Sequence, residues 1–345
     1  MSITASTPRP VADTGLTLTA LGIGSAPLGG LYADVPRDQA LATLERAWEL
    51  GIRYFDTAPM YGMTRSEHLV GHVLREKVDS YALSTKVGRL MTNARHGRDL
   101  PPEPPKNPLD PGFVNALPFR EVFDYSYDAI MRSYDDSQQR LGMRRIDLLF
   151  VHDIGAVTHG DDNARHWDAL TRGGGFRALQ DLKAAGDIKR FGLGVNEWEV
   201  IRDALEETDL DCCMLAGRYS LLDRDAEETF LPLALKRNVA LALGGVYNSG
   251  ILAAPKGGRR KFNYSDAPSA IVARVETLRG VCEDHGVPLA AAAIRFPIRH
   301  PAVTSVVIGA KTPDQLQQNV DWFGVALPDA LWSDLDAALS ATPAP

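Results

Sequence analysis

The hydrophobic positions of the chain follow two alternating spacings. Short apolar runs rich in β-branched residues are each followed by a longer segment in which apolar residues recur at helical spacing. This pattern predicts eight strands, at Leu18–Gly24, Ile52–Asp56, Tyr81–Lys86, Ile146–His152, Phe191–Asn196, Cys212–Ala216, Val239–Leu243 and Ser305–Gly309. It predicts a helix after each strand, at Asp38–Leu50, Ser66–Arg75, Tyr125–Leu141, Phe176–Ala185, Glu197–Glu207, Ala226–Arg237, Ser269–His285 and Pro313–Trp322. Asp38 and Ser66 have side chains that suit helix N-caps.

Strict alternation of strands and helices indicates an α/β protein with a parallel sheet, because parallel neighbours need a crossover connection. Eight such units can close into a (β/α)8 TIM barrel, which this count favours over an open doubly wound sheet. A length of 345 residues fits either two medium domains or one large barrel. We predict a single domain over residues 1–345, with the barrel from about residue 17 to about residue 325. Functional groups are then expected at the carboxyl ends of the strands and in the loops that follow.

Two predicted connections are unusually long. Residues Arg89–Arg120 contain the proline-rich run PPEPPKNPLDP, from which we predict no regular structure, since proline removes a backbone donor and fixes φ. Residues Gly245–Pro268 contain a cluster of two glycines followed by Arg259, Arg260 and Lys261. Long loops in a compact domain are often lids over a functional site, but solvated surface loops are as good an interpretation at this point.

Composition and charge narrow the function classes. The chain is 45% hydrophobic and 23% charged, and its net charge of −7 gives no electrostatic reason to expect a nucleic acid or an anionic membrane as partner. No run approaches the roughly 18 apolar residues of a membrane helix, and the first residues lack the apolar core of a secretory signal. We therefore expect a cytoplasmic protein. The three cysteines, Cys212, Cys213 and Cys282, are expected to be reduced and packed, and the sequence does not reveal the oligomeric state.

Four ionisable side chains fall at or just beyond the predicted carboxyl ends of three strands. They are Asp56, Lys86 and His152 at the strand ends, with Tyr61 five residues beyond Asp56. Each alone has a structural explanation: a surface ion pair, a satisfied core histidine or a rim aromatic. A carboxylate, an ammonium, an imidazole and a phenol at equivalent heights instead indicate a functional site for proton transfer.

These residues belong to motifs that match a known family in order. The motifs are Asp56–Gly62 (DTAPMYG) with Ser66, Glu67 and Gly71, then Leu83–Lys86 (LSTK), Asp147–His152 (DLLFVH), Gly192–Asn196 (GLGVN) and Ile308–Lys311 (IGAK). From about Leu21 to Asn319 the chain resembles the aldo-keto reductase family. The resemblance implies an NAD(P)-dependent oxidoreductase whose catalytic residues are Asp56, Tyr61, Lys86 and His152.

Physical chemistry is consistent with these implied roles. A free phenol has a pKa of about 10 and is a poor base at neutral pH. A neighbouring Lys86 cation is expected to lower the pKa of Tyr61, with Asp56 holding the lysine in place. His152 can orient the substrate oxygen through a hydrogen bond.

The resemblance also implies the residues that bind the dinucleotide. Asn196 matches the position that holds the nicotinamide carboxamide, although a helix N-cap is an alternative role, and Tyr219 matches the aromatic residue that stacks on the nicotinamide ring. The family often has glutamine at the position of Ala216, which puts one carboxamide contact in doubt. The loop that wraps the pyrophosphate matches the segment containing Ser249, Gly250 and Leu252. The remaining implied cofactor residues are Ser25, Gly309, Lys311, Gln315, Gln318 and Asn319.

The cofactor preference depends on one of these positions. Relatives that prefer NADP commonly carry arginine where Gln315 stands, because a guanidinium binds the 2′-phosphate in a bidentate manner. A neutral amide suits a free ribose hydroxyl better, so NAD is the expected cofactor. NADP is the alternative, since Lys311 or the cluster of Arg259, Arg260 and Lys261 could meet a phosphate.

Other candidate motifs carry little weight. His68 and His72 are four residues apart, but no third ligand is indicated, so no metal site is expected. Gly22 and Gly24 resemble the start of a dinucleotide fingerprint, yet the third glycine is missing and no helix is predicted to begin there. Gly173–Gly175 is expected to be the turn before a helix, and no Gly-x-Ser-x-Gly elbow is present.

Two segments, Leu215–Asp223 and Val246–Leu252, are similar to a bacterial branch of aldose 1-dehydrogenases and pyridoxal 4-dehydrogenases within the family. The first expectation is oxidation of an aldose hemiacetal, such as that of L-fucose, L-galactose or D-arabinose, to its lactone. The second is oxidation of pyridoxal, and the third is general carbonyl reduction. A cofactor-binding regulatory subunit is the non-enzyme alternative. Substrate-pocket candidates are Met60, Trp198 and side chains of the Arg89–Arg120 loop.

Overall fold

A computed structural model describes residues 3–93, 112–258 and 260–341 of the chain. Eight parallel strands in these ranges form a closed barrel. Numbered in chain order, they are β1 (Leu21–Gly24), β2 (Tyr54–Asp56), β3 (Ala82–Val87), β4 (Leu148–His152), β5 (Arg190–Val195), β6 (Cys212–Ala216), β7 (Ala240–Gly244) and β8 (Val303–Ile308). Each strand pairs with the next, and β8 closes on β1 in the register Val306 to Leu21. The prediction of a (β/α)8 barrel is confirmed.

Helices lie outside the barrel and follow each strand as predicted. Their bounds are Arg37–Glu49, Arg65–Leu74, Tyr127–Leu141, Gly175–Ala185, Glu199–Ala204, Phe230–Lys236, Ser269–Asp284 and Pro313–Gly324. In the parts of the chain that the structure describes, four further helices were not predicted, at Ala156–His159, Asn163–Thr171, Leu289–Arg295 and Asp329–Ser340. Short 3-10 helices occur at Ala26–Gly29, Gly160–Asp162 and Pro297–Arg299, so a helical turn does follow β1 where none was expected.

Both predicted N-caps are wrong by a few residues. The helix predicted from Ser66 begins at Arg65, and the Ser66 hydroxyl points inward to donate to Ser25 Oγ over 2.6 Å. The first helix begins at Arg37, so Asp38 lies in its first turn, where a carboxylate still favours the positive end of the helix dipole. The turn predicted at Gly173–Gly175 is confirmed, because Gly174 is the N-cap of the helix that begins at Gly175.

Among the described residues, three antiparallel hairpins stand apart from the barrel. Pro8–Pro10 pairs with Thr17–Thr19, and Lys261–Phe262 pairs with Ser265–Asp266. Arg89–Thr92 pairs with Arg120–Phe123, so the expectation of no regular structure throughout Arg89–Arg120 is wrong. The prolines of that segment begin at Pro101, which leaves the backbone donors of Arg89–Thr92 available for pairing.

The interior of the barrel is packed by side chains that alternate along the strands. Tyr54 is fully buried there, and a Cβ atom on Gly22 would lie 2.5 Å from its ring, so the glycine makes room for the aromatic side chain. All three cysteines are free and buried, as predicted. No helix in the described parts of the chain is long and apolar enough to span a membrane.

Candidate active site

The carboxyl ends of β2, β3 and β4 bring the four predicted catalytic residues together. Asp56 ends β2, Lys86 lies near the end of β3, His152 ends β4, and Tyr61 lies on the turn after β2. Tyr61, Lys86 and His152 line one cavity of about 120 Å³. The turn approaches the segment after β1 so closely that a Cβ atom on Gly29 would lie 2.8 Å from the backbone carbonyl carbon of Tyr61.

A buried ion pair joins Lys86 to Asp56. Lys86 Nζ lies 2.7 Å from Asp56 Oδ2 and 3.0 Å from Oδ1, and it donates a third bond to the carbonyl oxygen of Thr57 over 3.0 Å. Ser84 Oγ donates to Asp56 Oδ1 over 2.7 Å. Burial raises the pKa of Asp56, and Lys86 opposes that shift. For Lys86, burial acts to lower the pKa, but Asp56 and Tyr61 together act more strongly in the other direction, so the pKa of Lys86 is raised. We infer that this fully hydrogen-bonded pair is ionised at neutral pH.

The Tyr61 ring packs between charged and aromatic neighbours. Lys86 Nζ lies 4.6 Å from its ring centre, and the rings of His152 and Phe113 lie 5.9 and 6.0 Å away. Burial raises the pKa of Tyr61, while Lys86 acts in the opposite direction through its charge and a hydrogen bond. The pKa of Tyr61 is therefore raised, whereas the sequence predicted that it would be lowered. The free energy needed to remove a phenolate from water exceeds the stabilisation that one nearby cation provides.

His152 is held as a neutral imidazole. Burial, followed by the charges of Arg89 and Lys86, keeps its pKa well below 6.5. Its Nδ1 atom is buried with no hydrogen-bond partner in the described structure, and its Nε2 atom lies 3.5 Å from Asp153 Oδ2. A neutral ring of this kind can donate one hydrogen bond into the cavity.

Two charged residues that line this cavity, Arg89 and Asp153, were not predicted from the sequence to belong to the catalytic set. Arg89 is buried beside the four predicted catalytic residues, here called the tetrad, and forms ion pairs with Glu121, at 2.9 Å, and with Asp153. Asp153 directly follows His152, and Arg89 lies two residues beyond the end of β3. The rule that picked out the tetrad, an ionisable residue at a strand's carboxyl end, would therefore also have found Arg89 and Asp153.

Some of the residues predicted to form the substrate pocket line the cavity, and one does not. Met60 lines the cavity, as do Arg89 and Phe113 from the long loop between β3 and β4. Trp198 does not line it, because its indole donates to Asp225 Oδ2 over 2.7 Å and its ring stacks on Phe230. The proline-rich part of the loop lies outside the described residues.

A larger groove of about 330 Å³ adjoins the cavity. The two share walls formed by Tyr61, Asn196 and Tyr264. Six of the residues expected to bind the cofactor line the groove, namely Asn196, Ser249, Gly250, Gly309, Lys311 and Gln315. Asn196 is not a helix N-cap, since that position is Trp198; its amide instead donates to Asp153 Oδ1 over 3.3 Å.

Five other expected cofactor residues do not line the groove, namely Ser25, Tyr219, Leu252, Gln318 and Asn319. Tyr219 is buried against the rings of Phe296, at 5.1 Å, and His300, so it is not placed to stack on a ligand in the groove. The hydroxyl of Ser25 donates to the carbonyl oxygen of Asp56 over 2.7 Å.

The other three expected cofactor residues also lie outside the groove. Leu252 is fully buried and Gln318 is exposed on its helix. Asn319 lies behind the groove wall, where its Oδ1 atom accepts a bond from Tyr247, which does line the groove.

The groove has features that suit a dinucleotide. The side-chain nitrogen of Asn248 is buried at its wall without a hydrogen-bond partner in the described structure, so a donor is available for a polar ligand. Asn248, Ser249 and Gly250 all have positive φ, which turns this loop sharply along the groove. Of the basic cluster, Lys261 pairs with Asp266 at 2.6 Å, and Arg259 lies outside the described residues.

The sequence is similar to known proteins over almost its full length. The sequence model of the Aldo/keto reductase family matches residues 20–340. This chain belongs to the aldo/keto reductase family. It is 64% identical to the pyridoxal 4-dehydrogenase of Microbacterium luteolum, over 97% of this chain and 98% of that protein. It is 37% identical to the D-threo-aldose 1-dehydrogenase of a Pseudomonas species, over 98% and 99% of the two chains.

This aldo/keto reductase also shares its fold with solved structures. It superposes on a glycerol dehydrogenase of Gluconobacter oxydans with a TM-score of 0.72, at 24% identity, with 98% of this chain and 96% of the other covered. The chain is thus an oxidoreductase of a family that uses nicotinamide dinucleotides. No group of three or more metal-ligating side chains occurs among the residues that the structure describes.

Proposed function

We propose that this aldo/keto reductase oxidises the cyclic hemiacetal of pyridoxal to its lactone, with NAD as the preferred cofactor. The observation that carries the proposal is the 64% identity, over almost the full length of both chains, to a pyridoxal 4-dehydrogenase. The sequence alone favoured an aldose as substrate, and this relative reverses the order of the two candidates.

The walls of the cavity support an aromatic substrate. Leu31, Met60, Phe113 and Tyr264 present apolar or aromatic surface beside the tetrad. A flat ring gains from such walls, because aromatic side chains pack well against other aromatic groups. Tyr61 and His152 line the same cavity, and we propose that they meet the hemiacetal there.

Each residue of the tetrad has a proposed task. A bound nicotinamide dinucleotide supplies the hydride acceptor. The Tyr61 oxygen takes the proton of the hemiacetal hydroxyl, and the Lys86 cation favours the phenolate that must form for this step. Asp56 holds Lys86 under the ring, and His152 donates a hydrogen bond that orients the substrate oxygen.

The groove residues have proposed roles in cofactor binding. Asn196 binds the carboxamide, Ser249 and Gly250 contact the pyrophosphate, and Gly309, Lys311 and Gln315 hold the adenosine end. Gln315 Oε1 accepts a bond from the backbone N–H of Lys311 over 2.9 Å, so a neutral amide is fixed at this end of the groove. This supports NAD as the preferred cofactor, and a comparison of kcat/KM with NAD and NADP tests it.

Oxidation of an aldose hemiacetal to a lactone is the second candidate. Its support is the 37% identity to a D-threo-aldose 1-dehydrogenase and the carboxylate of Asp153 at the cavity, which can accept bonds from sugar hydroxyls. The same proton and hydride chemistry serves both substrates, since each presents a cyclic hemiacetal.

The deciding experiment follows absorbance of the reduced nicotinamide with pyridoxal, L-fucose, L-galactose and D-arabinose, each with NAD and with NADP. We expect the highest kcat/KM for pyridoxal with NAD. An aldose with a tenfold higher kcat/KM would overturn the substrate assignment. Dinucleotide binding without turnover of any compound would favour the regulatory-subunit alternative. A single domain over residues 1–345 and a cytoplasmic location stay predictions.

A further inference from the structure

Asp153 contacts three groups that belong to the site. Its Oδ2 atom pairs with the guanidinium of Arg89 and lies 3.5 Å from His152 Nε2. Its Oδ1 atom accepts the bond from the side-chain amide of Asn196. One carboxylate therefore links the cavity wall, the proposed substrate-orienting imidazole and a residue of the adjoining groove.

The backbone holds Asp153 in an uncommon conformation. Its φ is +48°, and its N–H donates to the carbonyl oxygen of Gly194 over 2.9 Å. A left-handed conformation strains a residue that has a side chain, and such residues cluster at functional sites. The strain turns the chain immediately after β4 so that the carboxylate faces back toward His152.

The carboxylate determines where the His152 ring carries its proton. A neutral imidazole has one N–H donor and one lone pair, on opposite ring nitrogens. Nε2 lies 3.5 Å from the negative oxygen of Asp153, which repels a lone pair on that nitrogen and attracts an N–H there. The proton on Nε2 leaves the lone pair on the partnerless Nδ1 atom.

Arg89 forms an ion pair with this carboxylate. The guanidinium is 98% buried and is shared between Asp153 and Glu121, so each carboxylate has a cationic partner. Asp153 alone of the two also contacts His152 and Asn196. The variant Glu121→Gln is thus a matched control, because it removes one carboxylate from Arg89 and leaves the contacts of His152 and Asn196 intact.

We propose that Asp153 is a positioning residue that fixes the His152 proton on Nε2, so that the imidazole is a hydrogen-bond donor at the cavity. This deepens the proposed function and rests on it only for the step at the substrate oxygen. Without the carboxylate, the proton is shared between the two ring nitrogens, and a fraction of the molecules offers the substrate a lone pair in place of a donor.

The direct test is 15N NMR of histidine-labelled protein without cofactor or substrate, with the His152 signals assigned from the His152→Gln variant. In the wild type we expect the shift pattern of a neutral ring protonated on Nε2. Asp153→Gly removes the acceptor while accepting the positive φ, and its His152 signals should move toward averaged values. A proton on Nδ1 in the wild type, or no change in Asp153→Gly, would overturn the proposal.

Kinetics with the best substrate of the panel provide the second readout. We expect Asp153→Gly to lower kcat at least tenfold. Asp153→Asn keeps an acceptor oxygen for Arg89 and His152, and should recover much of that loss. Glu121→Gln should change kcat less than threefold, provided that thermal melting shows both variants folded. Equal losses in Asp153→Gly and Glu121→Gln would mean that Asp153 serves only to pair with Arg89.

The two readouts separate this inference from the proposed function. The tautomer is measured without any substrate, so a preference for aldoses leaves that result unchanged. If the proposed substrate fails while the NMR pattern holds, the substrate assignment falls and the role of Asp153 stands.

Discussion

The Lys86 ammonium nitrogen lies 2.7 Å from Asp56 Oδ2, and both side chains are only 2% exposed. Removing one partner leaves an uncompensated buried charge, which typically costs 3–5 kcal/mol. We therefore expect Asp56→Asn to lower the free energy of unfolding by about 3–5 kcal/mol, measured by urea denaturation.

The double variant Asp56→Asn with Lys86→Met separates charge from packing. It removes both charges and should regain at least half of the lost free energy of unfolding, although it will not turn over substrate. If the single and double variants are equally unstable, the cost lies in packing and not in an orphaned ammonium group.

Tyr61→Phe tests the proton carrier. The substitution keeps the ring between Lys86, His152 and Phe113 but removes the oxygen. We expect kcat to fall by about 10²–10⁴-fold, the usual contribution of a general acid or base. The Kd for NAD, measured by quenching of tryptophan fluorescence, should change less than about twofold.

Tyr81→Phe is the matched control, because the Tyr81 hydroxyl donates to the carbonyl oxygen of Leu74 outside the cavity. Its kcat should stay near that of the wild type. A Tyr61→Phe variant that retains wild-type kcat would assign the proton step to another group.

The raised pKa of Tyr61 predicts the pH dependence of oxidation. Burial raises this pKa above 10, so the phenol dominates at neutral pH and the phenolate fraction increases tenfold per pH unit below the pKa. Oxidation consumes the phenolate form, so kcat/KM should increase with pH up to at least 10. Initial rates over pH 6–10 check this; a plateau below pH 8 would contradict it.

Lys86→Met sharpens the same test. The cation acts against burial and lowers the pKa of Tyr61, so its loss should raise that pKa further. We expect a lower kcat/KM at every pH and no levelling at the alkaline end. A profile displaced toward acid would mean that Tyr61 does not govern the rate.

Gln315→Arg tests the cofactor preference. A guanidinium at the adenosine end of the groove can bind a 2′-phosphate through charge-assisted bonds worth about 1.5–3 kcal/mol. This corresponds to an increase of about 10- to 150-fold in the ratio of kcat/KM with NADP to that with NAD.

Gln318→Arg adds the same charge to the same helix at an exposed position outside the groove. Its ratio should change less than threefold. If both variants shift the ratio equally, long-range charge and not a local contact sets the preference.

Strand order and the tetrad could be predicted because both depend on local features. A buried parallel strand shows as a short apolar run, and its last residue necessarily lies at the functional rim of the barrel. Asp56, Lys86 and His152 therefore could be located without any knowledge of contacts. The pairing of the Arg89 strand with the Glu121 strand could not be predicted, because a long proline-rich segment separates the two strands.

The cofactor side was less predictable because it depends on where loop side chains turn. Tyr219 matches a family position, yet its ring packs against Phe296. Ser66 suits a helix cap, yet its hydroxyl binds Ser25 because the buried serine needs a partner there. In both cases tertiary packing overrides the local pattern.

The closing contact between β8 and β1 has a consequence for synthesis of the chain. Asp56, Tyr61, Lys86 and His152 all emerge from the ribosome before most of the dinucleotide groove, and Val303–Ile308 is needed to join β7 to β1. Until that segment appears, both neighbouring strands retain open edges that invite association with other chains. The last barrel strand is thus the segment that covers both open edges, and Lys311 and Gln315 of the groove follow it in the chain.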